Sequence, residues 1–222
     1  MKVKIKVCGI RTLEEALGVI EAGVDILGFN FYPNSPRYII PGDCMRLMVR
    51  LETALREKLA QLTTVGVFVN DDADSIYAIF RDCHLDMVQL AGDEPPAVME
   101  KLGERAFKVL RLTTPESMLE TIRRYPHRTM APAWRVDANR PGMYGGTGQV
   151  VDWSLARTLA DQMPIILAGG LRADNVTEAL RQVRPWGVDV ATGVESAPGV
   201  KDLQKVAEFV RAVRSFHPET AE

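Results

Sequence analysis

The chain has 222 residues, of which 46% are hydrophobic and 25% charged, so it can bury a continuous core and is neither disordered nor low-complexity. Its 27 basic and 29 acidic residues give a net charge of -2 with no long run of one sign. This balance argues against a nucleic-acid or anionic-membrane binder and leaves a small-molecule partner as the expectation.

Cysteine use and hydropathy place the chain in a reducing compartment. The three cysteines are widely spaced and form no CxxC pair, and the three histidines are equally scattered, so neither a disulfide framework nor a zinc site is expected. No apolar stretch approaches the ~18 residues of a membrane helix, and the N-terminus lacks the apolar region of a signal peptide. We therefore expect a cytoplasmic protein without a membrane partner.

Short β-branched apolar runs alternate along the chain with longer segments of helical period. The predicted strands are 3–8, 25–31, 65–69, 87–90, 107–112, 133–137, 164–168 and 188–192. The predicted helices are 12–22, 41–59, 73–83, 95–102, 115–124, 153–162, 174–183 and 201–214.

The helix starts carry recognisable signals. Thr12 with Glu15 forms a capping-box pattern, and Asp152 and Asp174 occupy positions suited to an N-cap. Prolines tolerated in a first helical turn stand at three further starts, namely Pro41, Pro95 and Pro115.

Unbroken βα alternation predicts parallel strands joined by crossover helices. Eight units favour a closed (β/α)8 barrel, the TIM-barrel fold, formed by residues 1–222 as one catalytic domain. An open doubly wound sheet is the alternative, but the first βα turn reads Cys8-Gly-Ile-Arg and contains no dinucleotide-binding glycine pattern.

In such a barrel the chemistry gathers where strands end, and the notable residues of this chain fall there. Gly169, Gly170 and Gly193 follow the last two strands, where small residues let backbone N–H groups approach a phosphate. Tight chain turns are the alternative interpretation, but the presence of glycines in both loops favours phosphate. Arg37 ends a tight loop and suits a carboxylate, although most arginines are solvated surface residues.

The first strand places Lys4, Lys6 and Cys8 on one face, opposite the apolar residues that meet the helices. Buried ammonium groups need counter-charges, and Asp189 on the neighbouring last strand is the predicted partner of Lys6. A nearby cation also favours the thiolate form of Cys8. The alternative for Cys8 is a small inert core residue, and we interpret Cys44 and Cys83, on helices, as packing residues.

Asp137 ends the sixth strand, and seven residues separate it from a Gly-Gly-Thr-Gly loop at 145–148. A carboxyl group at a strand end can serve as a general acid or as a structural cap. The residues themselves leave both interpretations open.

Taken together, several motifs in one order resemble the phosphoribosylanthranilate isomerase family. The resemblance runs from residue 4 to about residue 213. Its motifs are Lys6-Val-Cys8-Gly-Ile, Asn-Ser-Pro-Arg37, Val88-Gln89-Leu, Asp137-Ala, Tyr144-Gly-Gly-Thr-Gly148, Leu167-Ala-Gly-Gly-Leu171 and Gly193-Val-Glu195.

The resemblance implies an Amadori rearrangement of N-(5-phosphoribosyl)anthranilate in tryptophan biosynthesis, without metal or cofactor. It implies Cys8 as general base and Asp137 as general acid. The residues implied to bind substrate are Arg37 for the anthranilate carboxylate, Gln89, the loop residues Gly146, Thr147 and Gly148, and the phosphate-site residues Gly169, Gly170, Thr192 and Gly193. We expect a monomer or a homodimer.

Two departures from the family pattern stand out. The usual His after Val-Gln-Leu is Ala91, and the usual Ser-Ser before Gly-Val-Glu is Ala191-Thr192. Two rival functions follow from the residues: a Schiff-base lyase or synthase that uses Lys6, and a barrel that binds a phosphorylated ligand without turnover.

Overall fold

Eight parallel strands close into a barrel in the order β1 to β8, with β1 pairing β8. The computed structural model describes residues 2–112, 114–128, 130–138 and 153–217. The strands are β1 Lys4–Cys8, β2 Ile26–Asn30, β3 Thr63–Phe68, β4 Met87–Leu90, β5 Ala106–Leu112, β6 Trp134–Ala138, β7 Ile165–Leu167 and β8 Gly187–Val190. The (β/α)8 prediction is confirmed.

Each barrel strand is followed by a helix on the outside of the barrel. The helices are α1 Leu13–Glu21, α2 Pro41–Leu59, α3 Ala73–Asp82, α4 Pro96–Leu102, α5 Pro115–Arg124, α6 Trp153–Ala160, α7 Val176–Val183 and α8 Leu203–Arg214. No helix in the described ranges is long and apolar enough to cross a membrane.

Local signals fix most of these helix starts. The Thr12 and Glu15 capping box is present at α1, and Pro41 and Pro115 are the first residues of α2 and α5. Helix α4 starts one residue later than predicted, because Pro95 precedes another proline and is held in an extended conformation.

Two further starts differ from their predictions. The predicted N-cap Asp174 is wrong, because α7 begins after Asn175, while the Asp174 carboxylate accepts hydrogen bonds from Arg172. Lys201 does not begin α8, because it lies in a two-stranded hairpin formed by β9 Glu195–Ala197 and β10 Val200–Lys201. Asp152 lies outside the described residues.

The core has two compartments, separated by the strands. Outward-facing strand residues such as Ile5, Val7 and Leu27 pack against the helices. Inside the barrel, Ile26, Val65, Phe107 and Ile166 form an apolar layer towards the amino-terminal mouth. The interior beyond this layer, towards the strands' carboxyl ends, is where polar side chains collect.

The remaining cysteines and Lys4 lie away from that end. Cys44 is buried in α2, and Cys83 is buried one residue beyond the end of α3. Lys4 faces the amino-terminal mouth, where its ammonium lies 3.6 Å from Asp25 Oδ1 and its side chain is 43% exposed. Lys4 is therefore not one of the buried inward cations.

Candidate active site

Cys8 ends β1 and is almost buried beside the ammonium of Lys6. The register places Gly28 of β2 opposite Cys8. A methyl group on Gly28 would lie 3.1 Å from Cys8 Sγ and 3.1 Å from Lys6 Nζ, so the thiol and the ammonium both occupy space that a side chain would fill. Glycine at this position leaves room for both side chains in the same narrow part of the barrel.

The predicted pairing of Lys6 with Asp189 is confirmed. Lys6 Nζ donates to Asp189 Oδ2 at 3.0 Å, and both side chains are fully buried. Burial by itself would raise the pKa of Asp189, but Lys6 and Arg135 outweigh it and lower that pKa. Asp189 therefore supplies the negative charge that a buried ammonium group requires beside it.

Arg135 of β6 is a site residue that the sequence analysis missed. Its Nε donates to Asp189 Oδ2 at 2.6 Å and its Nη1 to Asp137 Oδ2 at 2.7 Å. Burial alone would lower the pKa of Arg135, but the charges of Asp137, Asp189 and Cys8 outweigh it and raise that pKa. The alternation of side chains along a strand predicts its position, because Arg135 and Asp137 are two residues apart and therefore share the inward face of β6.

These side chains form a chain of charges across the barrel interior. It runs from Lys6 on β1 to Asp189 on β8, then to Arg135 and Asp137 on β6. Cys8 and Asp137 thus lie at the same, carboxyl-terminal end of the barrel, and Asp137 is 2% exposed. The structure brings the predicted base and acid to one mouth.

The glycine-rich loops after β7 and β8 line one cavity with Asp137. Gly169, Gly170, Thr192 and Gly193 all contribute to its wall, together with Arg135. The backbone explains two of these glycines: Gly170 has a positive φ of 66°, and a Cβ on Gly193 would lie 2.0 Å from the Leu171 carbonyl oxygen. The predicted phosphate residues and the predicted acid therefore adjoin one space.

Arg37 is held by the acidic residue of the loop after β8. Its Nε and Nη2 donate to the two oxygens of Glu195, each at 2.7 Å, and Nη2 also donates to Thr192 Oγ1 at 3.0 Å. Its side chain is 12% exposed, so it is not a solvated surface arginine. Its stem passes against Gly9, where a Cβ would lie 2.7 Å from Arg37 Cδ.

Glu195, quoted only as part of a motif, is the second residue whose role the sequence analysis missed. Its Oε1 also accepts from Lys201 Nζ at 2.7 Å. Burial would raise the pKa of Glu195, but Arg37 and Lys201 outweigh it and lower that pKa. One buried carboxylate thus fixes Arg37 in a single orientation at the mouth.

The β4 side of the mouth carries Gln89, Ala91 and a further arginine. Gln89 is 2% exposed, and its Oε1 has no hydrogen-bond partner among the described residues. Arg111 of β5 donates to the Ala91 carbonyl oxygen at 2.8 Å and to Asp93 Oδ1 at 3.0 Å. The sequence analysis did not single out Arg111, although it shares the inward parity of Val109.

Three of the predicted substrate residues, Gly146, Thr147 and Gly148, lie outside the described residues. Within residues 2–112, 114–128, 130–138 and 153–217, no group of three or more His, Cys, Asp or Glu side chains could hold a metal ion. The described site contains a thiol, buried carboxyl groups, a buried lysine, arginines and backbone amides.

The fold and the site define a (β/α)8-barrel enzyme whose polar groups converge at the carboxyl-terminal mouth. A family model described as N-(5'phosphoribosyl)anthranilate (PRA) isomerase matches residues 5–212. The chain is 47% identical over 219 residues to N-(5'-phosphoribosyl)anthranilate isomerase of Myxococcus xanthus, covering 98% of this chain and 99% of that protein.

Solved structures agree with the sequence comparison. Phosphoribosyl anthranilate isomerase from Thermotoga maritima is similar with a TM-score of 0.81 and 35% identity, covering 95% of this chain and 98% of that one. A phosphoribosyl anthranilate isomerase in complex with reduced 1-(o-carboxyphenylamino)-1-deoxyribulose 5-phosphate has a TM-score of 0.78 and 33% identity, with the same coverage. The chain belongs to the phosphoribosylanthranilate isomerase family.

Proposed function

We propose that this chain converts N-(5-phosphoribosyl)anthranilate, an aminoaldose, into the aminoketose 1-(2-carboxyphenylamino)-1-deoxyribulose 5-phosphate, with Cys8 as general base and Asp137 as general acid. Membership of the family supports the isomerase activity and its place in tryptophan biosynthesis. The assignment of the two residues is our own inference from the geometry and from the motifs that carry the resemblance.

The observation that carries this proposal is the cavity that Asp137 shares with Gly169, Gly170, Thr192 and Gly193. A phosphate held by those backbone N–H groups leaves the sugar ring within the same mouth as Asp137. Cys8 ends β1 at that mouth, on the far side of the ion-pair chain.

The rearrangement needs one group that gives a proton and one that takes a proton. Protonated Asp137 donates to the furanose ring oxygen as the C1–O bond breaks, which leaves a protonated Schiff base. The Cys8 thiolate then removes the proton on C2, and the resulting enolamine tautomerises to the ketone. Both steps are proton transfers, which positioned side chains accelerate by about 10²- to 10⁴-fold.

The remaining residues bind the substrate. Arg37, oriented by Glu195, is the proposed partner of the anthranilate carboxylate, through guanidinium N–H groups that Glu195 and Thr192 leave unused. Gln89 offers a buried amide inside the mouth. Gly146, Thr147 and Gly148 are proposed to bind the substrate as well.

The burial of Lys6 argues against the rival in which it forms a Schiff base. Its ammonium is fully buried and paired with Asp189 at 3.0 Å, so it is not open to a carbonyl carbon. Borohydride trapping of substrate on Lys6 would favour that rival. The second rival is a barrel that binds the substrate without turnover. Formation of the aminoketose product would exclude it.

The deciding experiment is a fluorescence assay with freshly made phosphoribosylanthranilate on Cys8→Ala and Asp137→Asn. We expect each to lower kcat by at least ~10²-fold while the substrate still binds. Cys44→Ala, which removes another buried thiol, and Asp161→Asn, at an exposed carboxylate, are matched controls that keep wild-type turnover. A Cys8 or Asp137 variant with unchanged kcat takes that residue out of the mechanism.

We further propose that residues 1–222 act as one catalytic domain in the cytoplasm, without cofactor, as a monomer or a homodimer. Three free thiols suit a reducing compartment. Light scattering on the purified protein distinguishes the two assembly states.

A further inference from the structure

The guanidinium of Arg135 lies between the proposed acid and the Lys6–Asp189 pair. It donates to Asp137 Oδ2 at 2.7 Å and to Asp189 Oδ2 at 2.6 Å, and its side chain is 10% exposed. Cys8 lies beside Lys6, whose ammonium donates to the same Asp189 oxygen as the Arg135 guanidinium. A cation this buried requires negative charge beside it at every stage of the reaction.

A count of charges shows which group supplies that negative charge. Lys6 and Asp189 neutralise each other, so one further anion is needed to balance Arg135. Before reaction this anion is the Cys8 thiolate, because Asp137 must then be protonated. After both proton transfers it is the Asp137 carboxylate, because Cys8 is then a thiol. The net charge of the site is the same in both states.

The intermediate between the two steps also balances. When Asp137 has given its proton and Cys8 is still a thiolate, the protein carries one extra negative charge, and the protonated Schiff base carries one extra positive charge. When Cys8 removes the C2 proton, the extra negative charge on the protein and the extra positive charge on the Schiff base are both neutralised. Arg135 is in position to stabilise the new carboxylate as it forms.

We propose that Arg135 is a positioning residue that balances the one negative charge shared by Cys8 and Asp137, in both halves of the rearrangement. This inference rests on the proposed roles of those two residues. It gives a role in the mechanism to Arg135, a β6 residue that is not part of any motif behind the family resemblance.

Other charged groups also face this part of the barrel and set its pH dependence. Lys6 and Asp189 lie on one side of Arg135. Arg111 is opposite Asp137 in the strand register of β5 and β6. Arg37 and Glu195 lie at the mouth of the barrel. The other inward positions described on neighbouring strands are uncharged: Gly28, Asn30, Val67, Gln89, Ala91, Val109 and Ala168. Removing Arg135 therefore deletes the cation that donates to both Asp137 and Asp189.

The test compares Arg135→Met with Arg135→Lys, which keeps the cation. In Arg135→Met we expect kcat to fall about 10- to 100-fold, as for loss of a charged hydrogen bond, with KM little changed. The loss of the cation disfavours the Cys8 thiolate and the Asp137 carboxylate. The acidic limb of the kcat/KM profile, set by Cys8, and the basic limb, set by Asp137, therefore both move to higher pH. Arg135→Lys restores the limbs towards their original positions.

Lys4→Met is the matched control, because it removes the same charge at the opposite mouth, and it leaves kcat and both limbs unchanged. A second readout needs no turnover: iodoacetamide modification of Cys8, followed by mass spectrometry, slows about tenfold at neutral pH in Arg135→Met. Arg135→Gln provides a second uncharged variant should Arg135→Met fail to fold.

Unchanged pH limbs and unchanged Cys8 modification in the uncharged variants would overturn the inference. A raised KM with unchanged kcat would also overturn it, by assigning Arg135 to phosphate binding in the cavity that it lines. Failure of the proposed function looks different, since Cys8→Ala and Asp137→Asn would then keep their turnover.

Discussion

At the scale of single residues, the site depends on which face of each strand a side chain takes. Alternation along β1 directs Lys6 and Cys8 inward together, and the same rule directs Arg135 and Asp137 inward on β6. Gly28 supplies the space that the first pair needs. Side chains three strands apart therefore meet inside the barrel.

Gly28→Ala tests that dependence on space. The added Cβ would lie 3.0 Å from the Cys8 Cα and 3.1 Å from both Cys8 Sγ and Lys6 Nζ, so the thiol must move. We expect kcat to fall by about tenfold or more, because small misplacements of reacting groups are costly. Steady-state kinetics checks this. Gly42→Ala in α2 meets only Arg46 at 3.6 Å and keeps wild-type kcat, whereas wild-type kcat in Gly28→Ala would contradict the argument.

At the scale of elements, buried carboxylates tie loops and helices to the barrel. Glu195 holds Arg37 from the β2–α2 loop, and it also holds Lys201 from β10 within the hairpin that precedes α8. Asp25 plays the corresponding part at the amino-terminal end. It accepts the Ile5 backbone N–H at 2.9 Å and Arg214 Nη2 at 2.6 Å, joining α8 to the first two strands.

Asp25 also gives a pH-dependent contribution to stability. Burial would raise its pKa, but hydrogen bonds from Arg214 and Ile5 outweigh it and lower the pKa below the ordinary value of 3.8. A lowered folded-state pKa means that the stabilisation is fully present above pH ~4 and is lost as the pH falls through the folded value.

Asp25→Asn should therefore reduce the free energy of unfolding by about 2 kcal/mol at pH 7, the loss typical of hydrogen bonds to a charged group. Urea denaturation at pH 7 and at pH 3 measures the difference, which shrinks at the lower pH. Asp161→Asn, in an exposed pair with Arg157, changes stability by less than ~0.5 kcal/mol. An equal loss at both pH values would be inconsistent with the lowered pKa.

At the scale of the whole molecule, closure of β1 onto β8 makes the two ends of the chain depend on each other. Helix α8 covers this junction with Val206, Phe209 and Val213 buried in the main core. The barrel's polar interior is stable because this apolar outer layer surrounds it.

Phe209→Ala tests this dependence. We expect a loss of about 3 to 5 kcal/mol in the free energy of unfolding, because a fully buried aromatic ring leaves a cavity, while kcat per folded molecule stays near wild type. Urea denaturation with parallel kinetics measures both. The exposed neighbour Glu208→Ala is the control, with a change within ~0.5 kcal/mol. A loss of kcat in folded Phe209→Ala would show that α8 shapes the site directly.

Most of the fold and part of the site follow from the chain itself. Periodicity and capping residues are local properties, so the βα order, the helix starts at Thr12 and Pro41 and the pairing of neighbouring strands through Lys6 and Asp189 could all be predicted. The family motifs led to the same mouth residues. At α8 a tertiary contact outweighed the local signal, because the Lys201 backbone N–H donates to Glu15 of the distant first helix.

The ion pairs that cross the barrel could be identified only from the tertiary structure. Arg135 is an ordinary arginine in the sequence until closure brings Asp189, fifty-four positions away along the chain, within 2.6 Å of it. Arg37 likewise gains its orientation from Glu195, far along the chain. Local sequence fixes the backbone pattern because helix and strand propensities act over a few residues. The partners of buried charges do not follow from local sequence. The desolvation cost of a buried charge is offset by groups of opposite charge, and folding brings these together from distant parts of the chain.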